Sequence, residues 1–152
     1  MRKKICFIAS SGGHFEQLMM LKPIMNKYES FIVTEKTSYM ITEKDIKYFL
    51  EQINRKEKLW LIKMIKNFNR SLKIFVKEKP DFIISTGVLS TIPMCLIGKI
   101  FRKKIIYLES FAKIHDATLT GKLLYKFADQ FYVQWEDMMD IYPNSIYKGG
   151  IY

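Results

Sequence analysis

Residues 4–14 read KICFIASSGGH, and residues 82–91 read FIISTGVLST. Each is a short β-branched and aromatic run that ends in small polar residues and glycine. This is the pattern of a buried strand emptying into a loop whose backbone can approach a ligand closely. Between and after these two units lie longer amphipathic stretches. Strands that alternate with helices in this way read as βαβ units and a parallel sheet.

Working outward, the patterning predicts strands over Lys4–Ser10, Ser30–Thr34, Ile46–Leu50, Phe82–Ser85, Lys104–Leu108 and Phe131–Gln134. It predicts a helix over Phe15–Lys27 with Leu18, Leu21 and Met25 inward. A long helix follows over Leu59–Glu78, with Leu61, Ile65, Phe68, Leu72 and Phe75 inward and Lys79-Pro80 as its stop. Further helices fall over Ile92–Phe101 and Leu119–Ala128, and a last turn over Trp135–Tyr142 is broken by Pro143. The expectation is an α/β fold: a single Rossmann-like domain over residues 1–152, with a mainly parallel sheet and helices on both faces.

A chain of 152 residues suits one domain and can bury enough surface to need no disulfide or metal staple. Cys6 and Cys95 lie in apolar runs and read as reduced core residues. Two histidines and two separated cysteines match no metal-ligand spacing, so neither a metal nor another cofactor is expected. The apolar run after Met1-Arg2-Lys3-Lys4 is cut off at Ser10, too soon for a signal peptide, and no run approaches the ~20 apolar residues of a membrane span. Any membrane association is therefore expected to be peripheral.

In open α/β sheets ligands bind beyond the carboxyl ends of the strands. That rule singles out Ser11, Gly12, Gly13 and His14 after the first strand, Gly87 and Ser90 after the strand at 82–85, and Glu109 after the next. The first loop is neither the G-x-G-x-x-G dinucleotide fingerprint nor a P-loop. A glycine turn opening a helix suits an anion such as a diphosphate, and His14 there is a candidate general base or hydrogen-bond donor. Glu109 could accept hydrogen bonds from sugar hydroxyls. Read plainly, the same residues make two tight capped turns and a surface glutamate.

The net charge is +10, from 25 Lys+Arg against 15 Asp+Glu, and the excess is uneven. Arg55, Lys56, Lys58, Lys63, Lys66, Arg70, Lys73, Lys77 and Lys79 face only Glu57 and Glu78 over that stretch. Trp60, Ile62 and Met64 add apolar residues that the expected inward face does not use. Arg102 and Lys103 follow the apolar helix at 92–101. Trp60, Lys63, Lys66, Arg102 and Lys103 are thus candidate membrane-surface residues, the alternative being a solvated lysine-rich face. No nucleic-acid recognition motif is present, and no nucleic-acid partner is expected.

Taken together, the motifs Ser11-Gly12-Gly13-His14, Pro80-Asp81-Phe82-Ile83-Ile84-Ser85-Thr86-Gly87, Ile106-Tyr107-Leu108-Glu109-Ser110, Leu119-Thr120-Gly121-Lys122-Leu123, Gln134-Trp135 and Tyr147-Lys148-Gly149-Gly150 carry a resemblance. They resemble, in order and over nearly the whole chain, the acceptor-side subunit of split GT-B glycosyltransferases. That family comprises the membrane-recruiting subunit of the second N-acetylglucosaminyltransferase of dolichol-linked oligosaccharide synthesis and its bacterial capsule and exopolysaccharide relatives. A more distant likeness is to the N-terminal half of MurG, from which the second loop departs at Val88-Leu89, where MurG is richer in glycine.

The resemblance implies the N-terminal half of a GT-B fold whose crevice binds a lipid-diphosphate-linked sugar at the cytoplasmic face of the membrane. It implies a small donor-binding partner subunit that holds most of the UDP-sugar, and an inverting transfer of which this chain alone is incapable. The chain then ends, at Lys148–Tyr152, where fused relatives would pass into their second domain. By position the resemblance casts His14 as the acceptor-activating residue, Ser11, Gly12, Gly13, Gly87 and Ser90 as the diphosphate cradle, and Glu109 as a contact to sugar or partner. Two other readings stand beside it. One is a non-catalytic scaffold that recruits and stabilises a catalytic partner. The other is an independent nucleotide-binding protein using Glu35 after the second strand.

Overall fold

The computed structural model describes residues 3–37 and 46–152. Among these residues, seven strands form one sheet: β1 (Lys4–Ile8), β2 (Glu29–Glu35), β3 (Ile46–Leu50), β4 (Phe82–Ser85), β5 (Lys104–Leu108), β6 (Gln130–Val133) and β7 (Ile146–Tyr147). Their order is β3-β2-β1-β4-β5-β6-β7 and every pairing is parallel. The direction of winding reverses between β1 and β4, so the loops after those two strands flank the crevice where such sheets bind ligands.

The helices are α1 (Gly13–Met19), α2 (Lys22–Met25), α3 (Trp60–Glu78), α4 (Ile92–Ile100), α5 (Leu119–Leu124) and α6 (Met138–Ile141). Alternation along β1 builds the two cores. Cys6 and Ile8 face a large cluster with Ile74 and Phe75 of α3 and Met94, Cys95 and Ile97 of α4. Ile5, Phe7 and Ala9 face a smaller one with Phe15 and Leu18 of α1 and Met25 of α2. Both cysteines are free and buried, and burial pushes the Cys95 thiol up to about 12.

Two expectations need correction. The helix expected over Phe15–Lys27 is two short ones, because Pro23 has no N–H and its ring would strike the carbonyl of Met19 in a continuous helix. At the start of α2 the same proline meets no such conflict. More consequential is α3, whose bounds are close to those expected but whose inward face is not. Leu61, Ile65 and Phe68 are exposed, Ile65 by 62%, while Asn67, Ser71, Ile74, Phe75 and Glu78 are buried.

Polar contacts set that rotation. Asn67 brackets the backbone of Glu51, its Oδ1 accepting from the amide at 2.9 Å and its Nδ2 donating to the carbonyl at 2.7 Å. Glu78 meets the Lys4 and Lys47 ammonium groups, each at 2.8 Å, and accepts from the Tyr48 hydroxyl. Those bonds, Glu78 towards the amino end of the strands and Asn67 just past the carboxyl end of β3, leave one apolar stripe of α3 facing out.

Candidate functional site

The crevice is organised by loops that grip each other. The Ser10 amide donates to the Gly87 carbonyl at 2.8 Å, and the Thr86 hydroxyl donates to the His14 carbonyl at 2.7 Å. In return the His14 ring bonds Thr86 through Nδ1, 2.6 Å from the carbonyl oxygen. A carbonyl only accepts, so Nδ1 carries the hydrogen and, in the neutral ring, Nε2 is left as the lone-pair nitrogen.

Glycine is required twice here. Gly12 turns at φ 71° and Gly87 at φ 99°, both in the left-handed region. A Cβ on Gly87 would also lie 3.3 Å from the Tyr107 hydroxyl and 3.4 Å from two atoms of the His14 ring. The missing side chain is what lets the imidazole lie against the second loop. Ser11 stands at the rim, its hydroxyl 3.5 Å from the buried Glu35 carboxylate.

Two expected site residues are placed elsewhere. Ser90 is fully buried and lines neither recess of the crevice, so it does not reach a ligand there. Ser85 and Thr91 brace that loop instead: the Ser85 hydroxyl donates to Thr91 at 3.1 Å, and Thr91 donates to the Val88 carbonyl at 2.7 Å.

Glu109 is 0% exposed. Its Oε1 accepts from the Ser110 amide and the Thr118 hydroxyl, each at 2.9 Å, and its Oε2 accepts from the Tyr142 hydroxyl at 2.9 Å. Burial raises the Tyr107 and Tyr142 phenols well above their ordinary range, with the Glu109 charge adding to it. They therefore stay protonated and donate. Thr118 in turn caps α5, accepting from the Gly121 amide at 2.8 Å. Glu109 is the hub that fixes the β5–α5 loop against α6, a positioning residue and not a group presented to sugar.

Two recesses adjoin these loops, one at Val88 and one at His14. One, of 600 Å³, is lined by the 52–56 loop, including Arg55 and Lys56, by Val88 and Leu89, and by Leu119 and Thr120. The other, of 220 Å³, is lined by His14, Gln17, Ser110, Phe111 and Tyr152 among others. The sequence reading assigned no site role to Arg55, Lys56 or Gln17. The signal for Gln17 was its place three residues after His14, on the same helix face. Among the described residues no cluster of His, Cys, Asp and Glu could hold a metal ion.

The expected membrane-surface residues are spread over one flank. Trp60 is half-buried, Lys63 pairs with Glu57, Lys66 lies 3.8 Å from Glu51, Lys103 lies 3.4 Å from Asp81, and Arg102 is exposed. The apolar residues that do face out are Leu61, Ile62, Ile65, Phe68 and Val76 of α3, with Ile100 and Phe101 at the end of α4. Phe101 packs on the buried Phe75 with ring centroids 5.0 Å apart, which ties the end of α4 to α3. No helix among the described residues is long and apolar enough to cross a membrane.

Comparison with solved structures supports the fold. MurG of Acinetobacter baumannii superposes with TM-score 0.73 at 14% identity over 89% of this chain and 42% of that one. The UDP-N-acetylglucosamine 2-epimerase of Rickettsia bellii superposes with TM-score 0.76 at 16% identity over 99% of this chain and 46% of that one. The chain thus spans less than half of each of these proteins and corresponds in architecture to one Rossmann-like half.

Among curated proteins, a Yarrowia lipolytica protein named UDP-N-acetylglucosamine transferase subunit ALG14 is 30% identical over 96% of this chain and 80% of its own length. The mouse protein of the same name is 28% identical over 97% of this chain and 82% of its own. The family described as oligosaccharide biosynthesis protein Alg14 like matches residues 52–151. With well over half of its length matched, and the expected half-GT-B architecture in place, the chain belongs to the Alg14-like family of oligosaccharide biosynthesis proteins.

Proposed function

We propose that this chain is the acceptor-side subunit of a two-subunit glycosyltransferase of capsule or exopolysaccharide assembly. It transfers sugar from a UDP-sugar, held mostly by a small donor-binding partner, to a lipid-diphosphate-linked saccharide. The observation that carries the reading is His14, clamped through Nδ1 to Thr86 at the sheet's switch point. That clamp leaves Nε2 to accept a proton.

In the proposed reaction an acceptor hydroxyl attacks the anomeric carbon of the donor sugar. The new C–O bond forms as the bond to the nucleoside diphosphate breaks, with inversion, and the hydroxyl proton passes to His14 Nε2. Ser11, Gly12 and Gly13, with Gly87 opposite, line the way in, and Arg55 and Lys56 offer positive charge to the diphosphate in the larger recess. The exposed stripe of α3 and the end of α4, flanked by Lys66, Arg70, Lys73, Lys77 and Arg102, hold the protein peripherally at the cytoplasmic face of the membrane.

The test is a reconstituted pair with a lipid-diphosphate-sugar acceptor. His14→Ala lowers turnover by about 10²–10⁴, the usual worth of general-base catalysis, while partner binding is retained. Unchanged turnover removes His14 from the chemistry and favours the scaffold reading. Transfer at normal rates by the chain without its partner refutes the split enzyme.

A further inference from the structure

Gln17 is 3% exposed, and its Oε1 is enclosed with no hydrogen-bond partner among the described residues. Buried polar atoms of native proteins are nearly always paired, so one left over beside a cavity asks what satisfies it. Gln17 lines the 220 Å³ recess together with His14, one helical turn before it on α1. From this we infer that the recess is the subsite for the acceptor's sugar ring, and that Gln17 selects the ring through a hydroxyl or amide N–H. The inference rests on the proposed lipid-linked acceptor and assigns the place of its sugar.

The chemistry of the lining narrows the occupant. An amide oxygen only accepts, so the ligand must bring an O–H or N–H. Among the described residues no lysine or arginine lines this recess, which disfavours the diphosphate; Arg55 and Lys56 stand in the other one. Phe111 and Tyr152 supply ring surfaces, 5.0 Å apart at their centroids, for the C–H face of a sugar. At 220 Å³ the space is smaller than the ~300–1,000 Å³ pockets of whole small-molecule ligands, and it suits one ring with its diphosphate outside. The spacing of His14 and Gln17 sets a hydroxyl held by Gln17 beside the one that His14 would deprotonate.

Binding of two water-soluble probes to the full chain tests this: a short-prenyl diphosphate bearing one N-acetylhexosamine, and the same prenyl diphosphate without sugar. The wild type binds the sugar-bearing probe more tightly. Gln17→Met, nearly isosteric but without the amide, weakens that probe about tenfold, leaves the bare one unchanged, and does not lower Tm, since it removes an unsatisfied atom. Gln17→Glu, which keeps an acceptor oxygen, retains the preference for sugar.

Equal loss for both probes, no loss for either, or a lowered Tm with both affinities intact overturns the subsite. Equal wild-type affinity for the two probes overturns it while sparing the acceptor reading. Binding of neither probe by the wild type overturns both.

Discussion

Glu78 offers a perturbation whose size follows from the structure. Its carboxylate is 4% exposed and lies between two ammonium groups at 2.8 Å and a tyrosine hydroxyl. Burial alone would raise its pKa, but the hydrogen bonds from Lys4, Lys47 and Tyr48 outweigh burial and lower it from 4.5 to about 2. At 1.36 kcal/mol per pH unit that difference is about 3 kcal/mol, and because Lys47 is half-exposed to water the measured figure is expected at about 2–3 kcal/mol.

The folded pKa lies below the unfolded one, so the stabilisation is fully present above pH 4.5 and is lost as pH falls towards 2. Urea titrations of wild type and Glu78→Gln should therefore differ by about 2–3 kcal/mol at pH 7. At pH 3 the unfolded carboxyl is mostly protonated and less than half of the difference remains. A gap that stays constant between pH 7 and pH 3 would refute the argument, because the ionised carboxylate would then contribute nothing that the amide does not.

Two more outcomes follow from named contacts. At Gly121→Ala the new Cβ would fall 1.8 Å from Glu109 Oε2 and 2.6 Å from the Tyr142 hydroxyl, so the hub must open; urea melts should show a loss of about 3 kcal/mol or more. Replacing Leu61, Ile65 and Phe68 together with serine should abolish co-sedimentation with anionic vesicles without lowering Tm, since all three are exposed. Wild-type binding should weaken with added salt, and undiminished sedimentation of the triple variant would take the stripe out of membrane contact.

The sequence revealed strands better than faces. β3, β4 and β5 were legible to the residue because each is a short apolar run bounded by punctuation, whereas β7 is two residues long and carries no periodicity. On α3 two apolar stripes overlap at Leu72 and Phe75, and periodicity favoured the one with more leucine and isoleucine. The face that is buried carries Asn67, Ser71 and Glu78, and partners on β1, β3 and the backbone of Glu51 make the burial of Asn67 and Glu78 favourable. Such partners are distant in sequence and leave no local mark.

The same limit explains the site. Gly12, Gly87 and His14 are singled out because a glycine turn after a strand has few uses, and Glu109 for a similar reason: a carboxylate at a strand end. What separates them is the supply of donors. Glu109 has Thr118, Tyr142 and its neighbour's amide around it and is satisfied within the protein, whereas Gln17 has an oxygen that nothing among the described residues answers. Satisfied groups hold a cleft's shape, and unsatisfied ones beside a cavity are where a ligand gains most, because the cost of their burial has already been met in the empty protein. By that criterion the proposed acceptor contacts belong on α1, at His14 and Gln17, and not on the third loop.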